Sequence, residues 1–195
     1  MAEPVDDEKA YGKNLISELM GRAMLERSDF GKLLKYLTQA DGLPGVEYKA
    51  MPPDYHGQFS YDTAVPRDPG LVEVSNNSVN TLVHEFTHAG QKQMREQAAR
   101  QGTGKQFVDG YNKLMGAGDS GTAGLVNKIA PAWQSAGSKY RTTPNEAQAH
   151  AMGNMSQLVH PSQAAPAHVD PTLATEFMIL LDLATRDLKK PGGKK

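Results

Sequence analysis

Between residues 45 and 75 the chain reads differently from the segments around it, and that contrast limits its fold more than any other feature. Pro and Gly punctuate this stretch and leave three short extended runs, residues 46–49, 58–61 and 71–74. Short runs bounded by turn formers read as strands of a small sheet. On either side, apolar residues follow helical spacing instead. Leu15, Ile16, Leu19, Met20, Ala23 and Met24 share one helical face; Ser28 and Asp29 then break and re-cap the chain before Leu33, Leu34 and Leu37. Asn76, Asn77 and Ser78 are a cluster of N-cap residues ahead of a helix over about 78–100, which Gly102 and Gly104 end. A shorter helix is expected over 105–115, then a Gly-rich loop over 116–124. Thr143 and Pro144 open another helix. Asp170 and Pro171 open the last, on which Leu173, Phe177, Leu180, Leu181, Ala184 and Leu188 form an apolar stripe. Helices around a small, mostly antiparallel sheet make an α+β fold. The expectation is one domain over residues 11–190, with residues 1–10 and 191–195 as flexible ends.

Composition removes several classes of function. A chain of 195 residues can bury a real core. Its 21 Lys and Arg against 22 Asp and Glu leave a net charge of −1 and no basic stripe, which argues against nucleic acid as a partner. The longest apolar run, Phe177 to Leu181, is far short of the roughly 20 residues of a membrane span. The first residues are acidic and lack an apolar core, so no secretory signal is read there. With no cysteine, disulfides and thiolate chemistry are excluded, and any metal must rest on His, Asp or Glu.

His84-Glu85-Phe86-Thr87-His88 carries such a donor set as H-E-x-x-H inside the expected helix. At about 100° per residue, positions four apart lie ~40° apart, so both imidazoles reach one ion. Glu85 stands one step round the helix, beside the open metal position, where it can take a proton from the attacking water and deliver it to a leaving amine. Leu82, Val83, Phe86, Gly90 and Met94 gather within ~60° of Val79 as one apolar stripe, and the histidines fall at about 140° and 180°. They face away from that stripe, as a helix lining a cleft requires. Two solvated histidines on an exposed face are the bland alternative.

The segment Leu71-Val72-Glu73-Val74, then a polar cap and Leu82 to Gln91, resembles the edge strand and active-site helix of zincin metallopeptidases. It is also similar to small zincin-like proteins of phages and bacterial toxin modules, in which H-E-x-T-H is followed by a nearby Gln. The resemblance covers about residues 70–91 and 145–153. It implies a zinc-dependent hydrolase acting on a protein or peptide, with zinc as cofactor and the edge strand pairing with an extended substrate. It also implies a phage or bacterial source and a cytoplasmic or virion-associated protein.

A catalytic zinc needs a third protein ligand and one open position. The third histidine of the metzincin extension is absent: His88 is followed by Ala89-Gly90-Gln91-Lys92-Gln93. Glu146, 58 residues after His88 (146 − 88), follows Asn145 as in the ligand segment of gluzincins. Thr143 and Glu146 around Pro144 also spell a capping box, which needs no metal. Where the family pattern continues to an acidic residue, this chain has His150, open to a role as ligand, transition-state donor or surface residue. Tyr140 and Arg141 are candidates for stabilising an oxyanion. His56, His160 and His168 sit among Pro and Gly and are expected to bind nothing; Asp119 reads as a turn residue, and Met20, Met24, Met152 and Met155 as core. Three other readings keep the motif: a catalytically weak structural or interaction protein such as a virion component, a translocated effector protease, and an amidase acting on cell-wall peptides.

Overall fold

The structure, a computed structural model, describes residues 17, 18, 20, 21, 28–53, 55–75, 78–100, 109, 144–158 and 171–188. The chain divides into two compact units, Met1–Gln93 and Met94–Lys195. Its described elements make an α+β protein with one three-stranded mixed sheet and four helices.

In the first unit, helix α1 (Asp29–Gln39) starts where the sequence places a cap. Ser28 is extended, and its hydroxyl accepts the Gly31 N–H at 3.0 Å, satisfying one donor that the first turn leaves without a helical partner. Phe30, Leu33, Leu34, Tyr36 and Leu37 are buried along one face. The helix ends at Gln39, and the turn that follows reaches Gly42, whose φ of +110° suits glycine and whose N–H donates back to Leu37 O at 2.9 Å.

Strands β1 (Gly45–Tyr48), β2 (Gly57–Ser60) and β3 (Leu71–Val74) form a sheet of order β1-β3-β2. β1 runs parallel to β3 with Val46 opposite Val72; β2 runs antiparallel to it with Phe59 opposite Val72. Two expectations are corrected here. The sheet is evenly mixed rather than mostly antiparallel, and Leu71–Val74 is its central strand, not an edge. The cause lies in burial: Val72, Glu73 and Val74 are all buried, as a strand covered on both faces requires, whereas β1 and β2 keep partly exposed positions.

Helix α2 (Val79–Ala99) begins with Leu82 N–H donating to Ser78 O at 3.1 Å. Phe86 meets Phe30 of α1 edge to face, with ring centroids 5.6 Å apart at 82°. Gln93 ties the turn after α1 to α2: its side-chain N–H donates to Gly42 O at 2.8 Å, and its carbonyl accepts the Asp41 N–H at 3.3 Å. Lys92 does the same for the loop before β3, donating to Asp68 O and sitting 5.2 Å from the centre of the Tyr61 ring.

In the second unit, α3 (Pro144–Leu158) packs against α4 (Pro171–Leu188). Ala147, Ala149, Ala151 and Met152 are buried on α3; Leu173, Phe177, Leu180, Leu181 and Ala184 of the expected stripe are buried on α4, and Leu188 at its end is half-buried. Gln97, in the last turns of α2, donates to Ala184 O at 3.2 Å and to Asp187 Oδ2 at 3.4 Å. Met20 is half-buried. The expected helix over 105–115, the loop over 116–124 and the side chains of Met24 and Met155 lie outside the described residues. Among the described residues, no helix is long and apolar enough to cross a membrane.

Candidate metal centre

An amphipathic helix at a surface buries one stripe; α2 buries almost every position from Leu82 to Met94. The apolar stripe lies inside as expected, and so do His84, Glu85, Thr87, Gln91, Lys92 and Gln93. Polar side chains in such numbers need partners, and several are visible. The Thr87 hydroxyl donates to Val83 O at 2.7 Å, one turn back, which removes it as an unsatisfied group.

The two histidines of the motif converge. His84 Nε2 and His88 Nε2 are 3.1 Å apart, with ring centroids 4.8 Å apart and ring planes at 81°. His88 is half-buried, and its Nδ1–H donates to the Gln91 carbonyl at 2.9 Å. That bond leaves the His88 lone pair on Nε2, the nitrogen turned toward His84. Two nitrogen ligands at about 2.0–2.1 Å from one tetrahedral ion stand roughly 3.3 Å from each other. The observed pair, which is also at hydrogen-bonding distance, is within a few tenths of that separation, so it could hold a metal ion without rearrangement of the helix.

Glu85, also buried, sits on the side of α2 that meets β2. A Cβ built on Gly57, the first residue of β2, would lie only 2.8 Å from Glu85 Oε1 and 2.9 Å from its Cγ. The strand backbone thus walls one side of the carboxylate. Sequence reasoning missed this neighbour, and the one signal available was a glycine at a strand end.

Glu146 and His150 lie one turn apart on α3, both half-buried, with Gln148 fully buried between them. They offer ligand atoms within 4.8 Å of each other, so the second helix carries a donor pair of its own at four-residue spacing. Tyr140, Arg141, Thr143, Asp119, His160 and His168 lie outside the described residues. His56 is exposed, and the contact it makes is through its backbone, whose carbonyl accepts the Ser75 N–H at 3.0 Å. Comparison with protein-family models, with curated proteins and with solved structures found no match to this chain.

Proposed function

We propose that the chain is a zincin-type zinc metallopeptidase that hydrolyses a peptide bond in a protein or peptide. One observation carries the reading: two imidazole nitrogens 3.1 Å apart, one turn apart on a helix, with a buried carboxylate at the intervening position of an H-E-x-x-H sequence. In this reading His84 and His88 hold the ion. Glu146 is the third ligand, with His150 as the rival for that place or as a hydrogen-bond donor to the developing oxyanion. Tyr140 shares that second role. When bound, zinc supplies Lewis acidity, which lowers the pKa of water and polarises a carbonyl. The rest falls to the chain's own side chains. Glu85 accepts a proton from the attacking water and delivers it to the leaving amine, so the carboxylate is regenerated each turnover. Gln91 holds the His88 ring in the tautomer that presents Nε2. An extended substrate would pair with β2, an outer strand among the described residues whose first residue lies against Glu85, rather than with the central β3.

The test is metal analysis together with turnover of a quenched-fluorescent peptide mixture. One zinc per chain is expected, and Glu85→Gln keeps its metal while hydrolysis falls by at least ~10²-fold. Protein that neither contains zinc nor shifts its melting on zinc addition defeats the metal assignment. Metal retained with no turnover in the wild type, on peptides or on peptidoglycan, turns the reading toward a binding or structural protein.

A further inference from the structure

We infer that Gly57 is a positioning residue for Glu85: its missing side chain is what lets the edge of β2 close on the carboxylate and set where it lies. The inference rests on the reading of Glu85 as the general base. Glycine inside or at the end of a strand gives up packing and adds conformational entropy to the unfolded chain, so it needs a reason. Backbone conformation is not the reason here. Among the described residues the glycines with positive φ are Gly42 and Gly70, and Gly57 is not one of them. Space is the reason. A Cβ at position 57 would lie 2.6 Å from Thr81 Cγ2, 2.8 Å from Glu85 Oε1 and 2.9 Å from Glu85 Cγ. Thr81 and Glu85 are four residues apart on α2 and so stand on one face of it.

The strand is tied to its neighbour on either side of this point. Gly57 is in register with Val74 of the central strand, and just beyond that pair Ser75 holds the preceding segment. Its N–H donates to His56 O at 3.0 Å, and its hydroxyl donates to Tyr55 O at 3.2 Å and to His56 O at 3.3 Å. A methyl at 57 must therefore be accommodated by α2. The Thr81 methyl belongs to a β-branched side chain with few alternative rotamers, whereas the Glu85 carboxylate is the far end of a flexible one. Thr81 must turn to its other rotamer and the Glu85 carboxylate must swing aside, and the second shift is the one that displaces the base. The expected outcome is a protein that folds and binds metal through the untouched histidines, with its base displaced.

Gly57→Ala tests this, with Gly21→Ala as the control, since a Cβ on helical Gly21 meets nothing within 4 Å among the described residues. The experiment reads four quantities: melting, zinc titration, turnover of the peptide mixture, and the side-chain carboxyl 13C signal of Glu85 in metal-free protein, assigned with Glu85→Gln. Gly57→Ala is expected to bind zinc like the wild type, move the Glu85 signal, and lose about 10²-fold in kcat with KM little changed, the scale of an ångström-sized misplacement. Shortening the base should partly relieve the clash, so Gly57→Ala with Glu85→Asp should lose less than the product of the two single losses. Should the single variant not fold, Thr81→Ser added to it removes the methyl contact and leaves the carboxylate contact in place. An unmoved Glu85 signal in Gly57→Ala, or wild-type kcat, overturns the inference. If wild type and Glu85→Gln cleave equally, the general-base reading has failed instead, and the carboxyl signal still decides whether Gly57 sets the position of that side chain.

Discussion

His88 is held in place by a residue three positions further along its own helix. The Gln91 carbonyl takes the Nδ1–H at 2.9 Å, and Gln91 is itself buried. An outer partner of this kind fixes the ring and raises the basicity of the ligating nitrogen. Gln91→Leu should therefore weaken zinc binding about 10- to 100-fold with the helix intact, read by competition against a chelating dye and by circular dichroism. Gln91→Glu, which offers a charged acceptor to the same N–H, should tighten it. Much at this scale was legible in the sequence. The H-E-x-x-H spacing picked out His84, Glu85 and His88 because a four-residue interval on a helix is a geometric statement. Gly57 was not legible, because a residue without a side chain announces no chemistry, and its importance appears only when the neighbour it admits is seen. Nor does the spacing tell a ligand from a capping residue at Glu146, since helix initiation and metal binding ask for the same carboxylate at the same place.

Elements were read more surely than their arrangement. Ser28 was legible as a cap, and Ser28→Ala should cost about 1 kcal/mol in urea unfolding, because the Gly31 N–H loses its acceptor. The α4 stripe and the starts at Pro144 and Pro171 were equally plain. The order of the strands was not, since four-residue strands carry no mark of which neighbour they pair with. The loop before β3 has a pH dependence of its own. Backbone N–H groups of Asp62 and Gly70 donate to the two oxygens of Asp68, which holds its carboxyl below the usual range. A folded-state pKa below the unfolded one gives stability that is present above the unfolded value, about 3.9, and is lost as pH falls through the folded value. The loop should thus loosen below about pH 4, seen as faster amide exchange at Asp62 and Gly70. Asp68→Asn, which has one carbonyl acceptor in place of two carboxylate oxygens, should loosen it at neutral pH and flatten the pH response.

At the scale of the molecule, the telling feature is a helix that carries charged and amide side chains into its own buried surface. Sequence reasoning made α2 amphipathic, because periodicity sees one apolar stripe and not what covers the opposite face. A metal bound by the folded chain alone must raise its stability, by about 2.7 kcal/mol when free zinc is a hundred times Kd. Melting should therefore rise with zinc and fall on chelation, and His84→Ala should abolish the difference. Glu146→Gln should shrink that zinc-dependent rise if the carboxylate is a ligand, and leave it unchanged if it serves as a helix cap. His150→Ala is the matching measurement for the histidine. The sheet order has a consequence of another kind, for how the molecule comes into being. β1 and β2 are not hydrogen-bonded to each other; each needs β3, which arrives last, and Gly45 meets Leu71 across 26 positions (71 − 45). On a ribosome the first two strands must wait without partners until the third has emerged, and closing that interval is slow compared with winding a helix. A nascent chain halted just short of residue 71 should hold helix α1 and none of this sheet, and would be the form most open to a chaperone.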